Sequence, residues 1–167
     1  YGTDELVDAL VRIGRRLARD FPGSSLALGD ISYRGGRESA RHHSHQNGRD
    51  VDVFYFARDN RGRPLGPYDA MVPFAEDGRS LSWRQNDEVR YAWGRRFDDA
   101  RNWGTVRAFL NDPGIEVQWI FAHQGLIKRM LAYAAEHQGD PELIARASMV
   151  MQQPLRALPH DAHMHVR

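Results

Sequence analysis

The chain has no cysteine, a single lysine and no long apolar run. Without thiols it can form neither a disulfide nor a thiolate-held metal site, so a tightly bound metal must rest on imidazole and carboxylate. Lys128 is the only lysine among 23 basic residues, which we read as a coding-composition bias toward arginine rather than a phosphate-binding surface. The 22 acidic residues bring the net charge to +1, too small a field to argue for nucleic acid or an anionic membrane surface. No stretch approaches the roughly 20 apolar residues that span a bilayer, so stable membrane insertion is not expected. The first residue is Tyr1 rather than methionine, and the expectation is a processed chain whose export signal is gone. A length of 167 residues suits one domain, 1–167, with a substantial core.

What the chain does have is histidine, unevenly placed. Three of its eight histidines, His160, His163 and His165, lie in the last eight residues. In an extended strand alternate side chains share a face, so His163 and His165 would lie together, opposite Met164 and Val166. Strand stability does not require two adjacent imidazoles. Such a pair can share a metal, or supply one ligand and one acid or base. Far upstream, a polar, irregular segment carries His42, His43 and His45 and runs into a strand at Asp50–Phe56. Asp50 and Asp52 share that strand's face with Phe54 and Phe56, and buried carboxylates are costly unless paired or bound to a cation.

The remaining elements follow from spacing and punctuation. Thr3 caps a helix over about 3–20, with Leu6, Val7, Leu10, Val11 and Leu17 as its apolar stripe. Leu26–Tyr33 reads as a strand. Residues 57–95 show no long periodic element, only a short hairpin near Asp77-Gly78, and read as an irregular cleft wall. A helix runs from Asp98 or Asp99 to Leu110, and a central strand is expected over Ile115–Ala122, ended by a structural His123. Two more helices follow, over about 125–137 and from Asp140-Pro141 to just before Pro154.

A catalytic zinc takes three protein ligands and leaves one position open. His45, Asp52 and His165 supply that number, and a site of one carboxylate and two neutral imidazoles leaves the ion a Lewis acid that activates water. His163 is the first candidate for general base or acid. His160 is placed to bind an oxyanion or carry a proton. His42, Ser44 and Asp50 are candidates to orient the ligands. A surface histidine cluster binding metal adventitiously is the competing explanation.

S-H-x-x-G-x-D-x-D at 44–52, H-D-x-H-x-H-V-R at 160–167, R-N-W at 101–103 and I-F-A-H at 120–123 resemble the penicillin-insensitive murein endopeptidases. These fall within a wider group of zinc peptidases with the lysostaphin-like and D-Ala-D-Ala enzymes. The resemblance implies an α+β fold, with a small central antiparallel sheet carrying the site and helices flanking it. It implies Zn²⁺ on His45, Asp52 and His165, with His160 and His163 as further catalytic histidines. The implied reaction is hydrolysis of the D-alanyl–meso-diaminopimelate cross-link of peptidoglycan by metal-activated water, in the periplasm or outside the cell. Arg34, Arg37, Arg41 and Arg49 are candidates to meet the diaminopimelate carboxylate. Two rivals stay open, a D,D-carboxypeptidase or dipeptidase of the same group and a non-catalytic, zinc-containing wall-binding module. The sequence leaves the oligomeric state open.

Overall fold

The computed structural model describes residues 1–36, 44–67, 71–81, 91–137, 139–155 and 157–167, without the side chains of 91–93. The order of elements is α1 (Asp4–Asp20), β1 (Val51–Phe54), β2 (Ala57–Asp59), β3 (Arg79–Leu81), β4 (Tyr91–Phe97), α2 (Asp99–Leu110), β5 (Ile120–Phe121), α3 (Gln124–His137), α4 (Pro141–Val150), β6 (Met151–Gln152) and β7 (His163–Val166). This is an α+β fold with two small, mostly antiparallel sheets.

The helices begin where their caps sit. Thr3, Asp98 and Asp140 each accept a backbone N–H of the first turn, from Leu6, Arg101 and Leu143. The buried stripe of α1 is Leu6, Ala9, Leu10, Ile13 and Leu17, at the spacing of a single helix face. Val7 and Val11, expected in that stripe, are instead exposed, because Ala9 and Ile13 occupy the side that meets the core. α2 is buried through most of its length, with Trp103, Val106 and Phe109 almost fully enclosed.

The site-bearing sheet has the order β1-β7-β5-β6. β7 pairs antiparallel with both β1 and β5, and β5 pairs parallel with β6. Val51, Val53, Ile120, Met164 and Val166 point into the core from one face. By alternation the other face carries Asp52, Phe121, His163 and His165.

Three expectations need correction. Leu26–Tyr33 is not a regular strand. It lies along β1 through Phe54 N to Ala27 O (3.0 Å), Gly29 N to Asp52 O (2.8 Å) and Asp52 N to Asp30 O (3.0 Å). Gly29 and Asp30 thus both oppose Asp52, and this bulge breaks the ladder. A Cβ at residue 29 would come within 3.1 Å of the Asp52 Cβ, so glycine is what allows the close approach. The strand expected over Ile115–Ala122 is regular only at Ile120–Phe121, although it is central as expected. Ahead of it, Gln118 N and Trp119 N both donate to the Arg167 carbonyl, an irregular pairing. Finally, the described part of 57–95 is more regular than its composition suggests, since β2, β4 and β3 form a second antiparallel sheet in that order. Its hairpin falls at the expected place. Gly78, with φ of 78°, closes a turn in which Ala75 N donates to Arg79 O at 2.9 Å.

The R-N-W stretch joins the two sheets. Asn102 Nδ2 donates to Phe56 O at 2.9 Å and its Oδ1 accepts from Phe56 N at 2.8 Å, replacing the strand partner that Phe56 lacks beyond β1. Arg101 donates to Leu65 O, Ala57 O and Asp98 Oδ2.

Candidate metal centre

The antiparallel register of β1 and β7 places Asp52 opposite His165. His45 reaches the same point from the turn before β1. That turn is anchored by Thr3 N, which donates to Gly48 O at 2.9 Å. Gly48 has a φ of 74°, and a Cβ there would press on the backbone of Gly2 and Thr3, so a side chain is excluded twice. His45, Asp52 and His165 are all buried, and one ligand atom of each lies within 4.8 Å of the others.

The hydrogen bonds fix the tautomer of His45. Its Nδ1 lies 2.7 Å from the carbonyl oxygen of Ile31, which can only accept, so Nδ1 carries the proton. His45 Nε2, 3.1 Å from Asp52 Oδ1, then turns a lone pair toward a carboxylate. His165 lies between two carboxylates, its Nε2 2.9 Å from Asp50 Oδ1 and its Nδ1 3.0 Å from Asp52 Oδ1; with its proton on Nε2 it repeats the arrangement the other way round. In that tautomer two imidazole lone pairs converge on one carboxylate oxygen, and the second oxygen, Asp52 Oδ2, is buried with no hydrogen-bond partner among the described residues. Such a set repels itself until a positive charge, a proton or a metal ion, enters it. An outer acceptor holding the far N–H of each imidazole is the usual setting of a metal-bound histidine. The donor set therefore fits a metal ion.

The electrostatics agree. Burial works against the Asp52 charge, but the hydrogen bonds that the facing nitrogens of His165 and His45 donate when they carry a proton, with the nearby His163, outweigh it and hold the carboxyl well below its ordinary range. Burial likewise opposes the Asp50 charge, and the bonds from His165 and Arg167 lower its pKa. Burial disfavours the charged His165, yet Asp50 and Asp52 together raise its pKa. A site that draws in a proton in this way also favours a cation, and the two compete for the same nitrogen.

The other two histidines of the C-terminal cluster flank this group. His163 Nε2 stands 3.5 Å from Asp52 Oδ1. The ring of His160 lies 5.4 Å from that of His163 and 6.2 Å from that of His165. The His160 backbone is gripped three times. Its carbonyl accepts from Tyr55 OH and His123 N, both at 2.9 Å, and its N–H donates to Gln153 Oε1 at 3.1 Å. Burial, with the charges of His163 and His165, pushes the His160 pKa down to about 4. Its Nδ1 is buried and has no hydrogen-bond partner among the described residues. Phe121 packs against His160 and His165 at ring distances of 5.9 and 5.6 Å, and Trp119 stacks on Phe121.

Of the residues expected from sequence to serve a site, the structure brings together His45, Asp50, Asp52, His160, His163 and His165. Ser44 lies in the turn that presents His45, its carbonyl accepting from Gln46 N at 2.7 Å. His42, Arg37 and Arg41 fall outside the described residues. Arg34 and Arg49 are exposed. His123, expected to be structural, has its Nδ1 accepting from Gly125 N at 3.2 Å at the start of α3. Sequence reasoning missed the Ile31 carbonyl, Tyr55, Gln153 and Arg167. Only Arg167 had left a signal, two residues beyond His165 on the same strand face.

A groove of about 600 Å³, lined in part by Leu6, Arg49, Phe109 and Arg167, contains no histidine in its lining and touches this cluster only through Arg167 beside Asp50. None of the described helices is long and apolar enough to cross a membrane. The profile of a family described as penicillin-insensitive murein endopeptidase matches residues 1–167. No curated protein matches the chain.

Proposed function

Since the chain belongs to the penicillin-insensitive murein endopeptidase family, we propose that it is a single-domain, zinc-dependent hydrolase of the D-alanyl–meso-diaminopimelate cross-link in peptidoglycan. The family's substrate lies in the cell wall, which supports a periplasmic or secreted location. The observation that carries the zinc assignment is the pair of imidazole lone pairs converging on the Asp52 carboxylate.

In this reading His45 Nε2, Asp52 and His165 Nδ1 hold the zinc. Bound there, the ion supplies Lewis acidity, polarising the scissile carbonyl and acidifying water. Asp50 fixes the orientation of His165 through its Nε2–H. His163, beside Asp52, takes the proton of the attacking water. His160, kept neutral near pH 7 by its lowered pKa, donates an N–H hydrogen bond to the developing oxyanion, or relays to the leaving amine the proton that His163 has taken from the water. Its gripped backbone keeps the ring from needing to reorganise during the reaction. Tyr55 contributes only structure here, as burial pushes its phenol pKa well up and leaves it a hydrogen-bond donor.

The test is mass spectrometry of purified cross-linked muropeptide dimers after incubation with zinc-loaded protein, with His165→Ala as control. Conversion of dimers to monomers by the wild type alone is the expected result, and the product masses identify the cut bond. Release of only a terminal D-alanine would move the assignment to a carboxypeptidase. Zinc bound with no cleavage in either sample would leave a wall-binding module, with His163 as a fourth ligand closing the site.

A further inference from the structure

We infer that Arg167 is a positioning residue of the metal centre, acting on the metal ligand His165 through Asp50. This deepens the proposed zinc site and rests on it. Arg167 Nε donates to Asp50 Oδ1 at 2.8 Å, and the same oxygen accepts from His165 Nε2 at 2.9 Å. The chain of contacts is thus guanidinium, carboxylate, imidazole and, beyond the imidazole, the Asp52 carboxylate at 3.0 Å.

The arrangement follows from the sheet. Val51 pairs with Val166 in antiparallel register, so the next pair outward is Asp50 with Arg167, on the face that holds Asp52 and His165. The backbone of Arg167 is fixed independently of its side chain, through its N–H to Trp119 O at 2.9 Å and its carbonyl to Gln118 N at 2.8 Å. Its guanidinium therefore starts from a rigid base.

Asp50 needs such a partner. Its side chain is 2% exposed, and one imidazole N–H alone would leave the carboxylate free to rotate about its bond to Cβ. A second donor on the same oxygen locks that rotation, and with it the plane of the His165 ring and the direction of its Nδ1 lone pair. The Arg167 side chain is 38% exposed, so water screens its charge at the metal while its hydrogen bond to a buried oxygen is protected. Positioning outweighs the repulsion between the arginine and a bound cation, and loss of Arg167 should weaken metal binding.

The experiment measures zinc affinity by competition with a chromogenic chelator, for wild type, Arg167→Met, Arg167→Lys, Asp50→Asn and the double variant Asp50→Asn/Arg167→Met. Arg167→Met should weaken zinc binding about tenfold, the lower end for residues that support a metal ligand. Arg167→Lys should recover part of that loss. In the Asp50→Asn background the methionine should have no further effect, because the route to His165 is already cut. Far-UV circular dichroism of the metal-free variants should match wild type, since the Arg167 backbone bonds remain. Equal or tighter zinc binding by Arg167→Met would overturn the inference, as would a full additional loss in the Asp50→Asn background. Wild type that binds no zinc would overturn the zinc reading along with it, whereas zinc-binding wild type beside an unaltered Arg167→Met would overturn this inference alone.

Discussion

Asp52 and Asp98 are both buried carboxylates, yet their surroundings differ in kind. Asp98 caps α2 and sits among cations. Its Oδ1 accepts from Arg58 Nη2 at 2.8 Å and from the Arg101 N–H, and its Oδ2 accepts from Arg101 Nε at 2.8 Å. The neighbouring Asn102 uses both of its amide atoms on Phe56. Around Asp52, by contrast, two imidazole nitrogens meet one oxygen and the other oxygen has no partner among the described residues. In the first cluster both carboxylate oxygens are met by N–H donors, and the cluster joins the chain beyond β1 and the second sheet to α2. The second is complete only with an added positive charge. A buried polar group that satisfies itself points to structure, and one that leaves acceptors facing each other points to a ligand.

The contrast can be broken at either end. The largest effect should come from emptying the metal site. Chelation, or His165→Ala, is expected to lower muropeptide cleavage by about 10⁴-fold, since the ion supplies several kcal/mol of transition-state stabilisation. Zinc added back should restore the chelated wild type and not the variant. Activity that survives chelation would remove the distinction between the two clusters.

At the structural end, Asp98→Ala strands Arg101 in the interior and should cost roughly 3–5 kcal/mol of folding stability, read as a lowered urea midpoint. An unshifted midpoint would show that the closed cluster is not what holds α2 to the sheets. His160→Ala lies between the two extremes. It should lower kcat by about 10²-fold, the modest end for acid–base or oxyanion residues, with zinc stoichiometry unchanged. Zinc lost together with activity would make His160 a ligand instead.

The smallest effect concerns a pair made by a partly exposed arginine and a buried aspartate. Arg12 donates two hydrogen bonds to Asp112, at 2.7 and 2.9 Å, and this holds the Asp112 carboxyl below its ordinary value of 3.8. A lowered folded-state pKa adds stability that is fully present above 3.8 and declines as the pH falls through the folded value. Asp112→Asn should therefore lower stability at pH 7 by about 1 kcal/mol or less, the usual limit for a half-exposed pair, and flatten the loss below pH 4. Identical acid limbs in chemical denaturation series would rule this linkage out.

Much of this architecture could be read in the sequence because the signals are local. Thr3, Asp98 and Asp140 announce three helix starts, and α1 to α3 follow within a residue or two of their expected bounds, whereas α4 stops at Val150, short of its expected end before Pro154, because Met151–Gln152 pairs with β5 as β6. The second sheet could not be read. β2 and β3 have three residues each, and β4 is interrupted by Gly94 at a φ of 90°, so none offers a long alternating run. Their order comes from pairing with one another, which no single segment encodes. The strand expected over 26–33 failed for a related reason, since the bulge at Gly29 and Asp30 is set by what lies across from it.

The candidate site divides in the same way. The sequence by itself determined that Asp50 and Asp52 share a face, as do His163 and His165, because alternation along a strand is a property of covalent geometry. It also determined that a metal here must rest on imidazole and carboxylate, because there is no thiol. Only the tertiary structure decided that those two faces meet, bringing Asp52 and His165 together across 113 residues of chain. It alone decided which nitrogen of each histidine faces Asp52, because the distant Ile31 carbonyl and Asp50 engage the other nitrogen of each ring. Register and tautomer are relations between separated segments, fixed when backbone hydrogen bonds and burial are satisfied together.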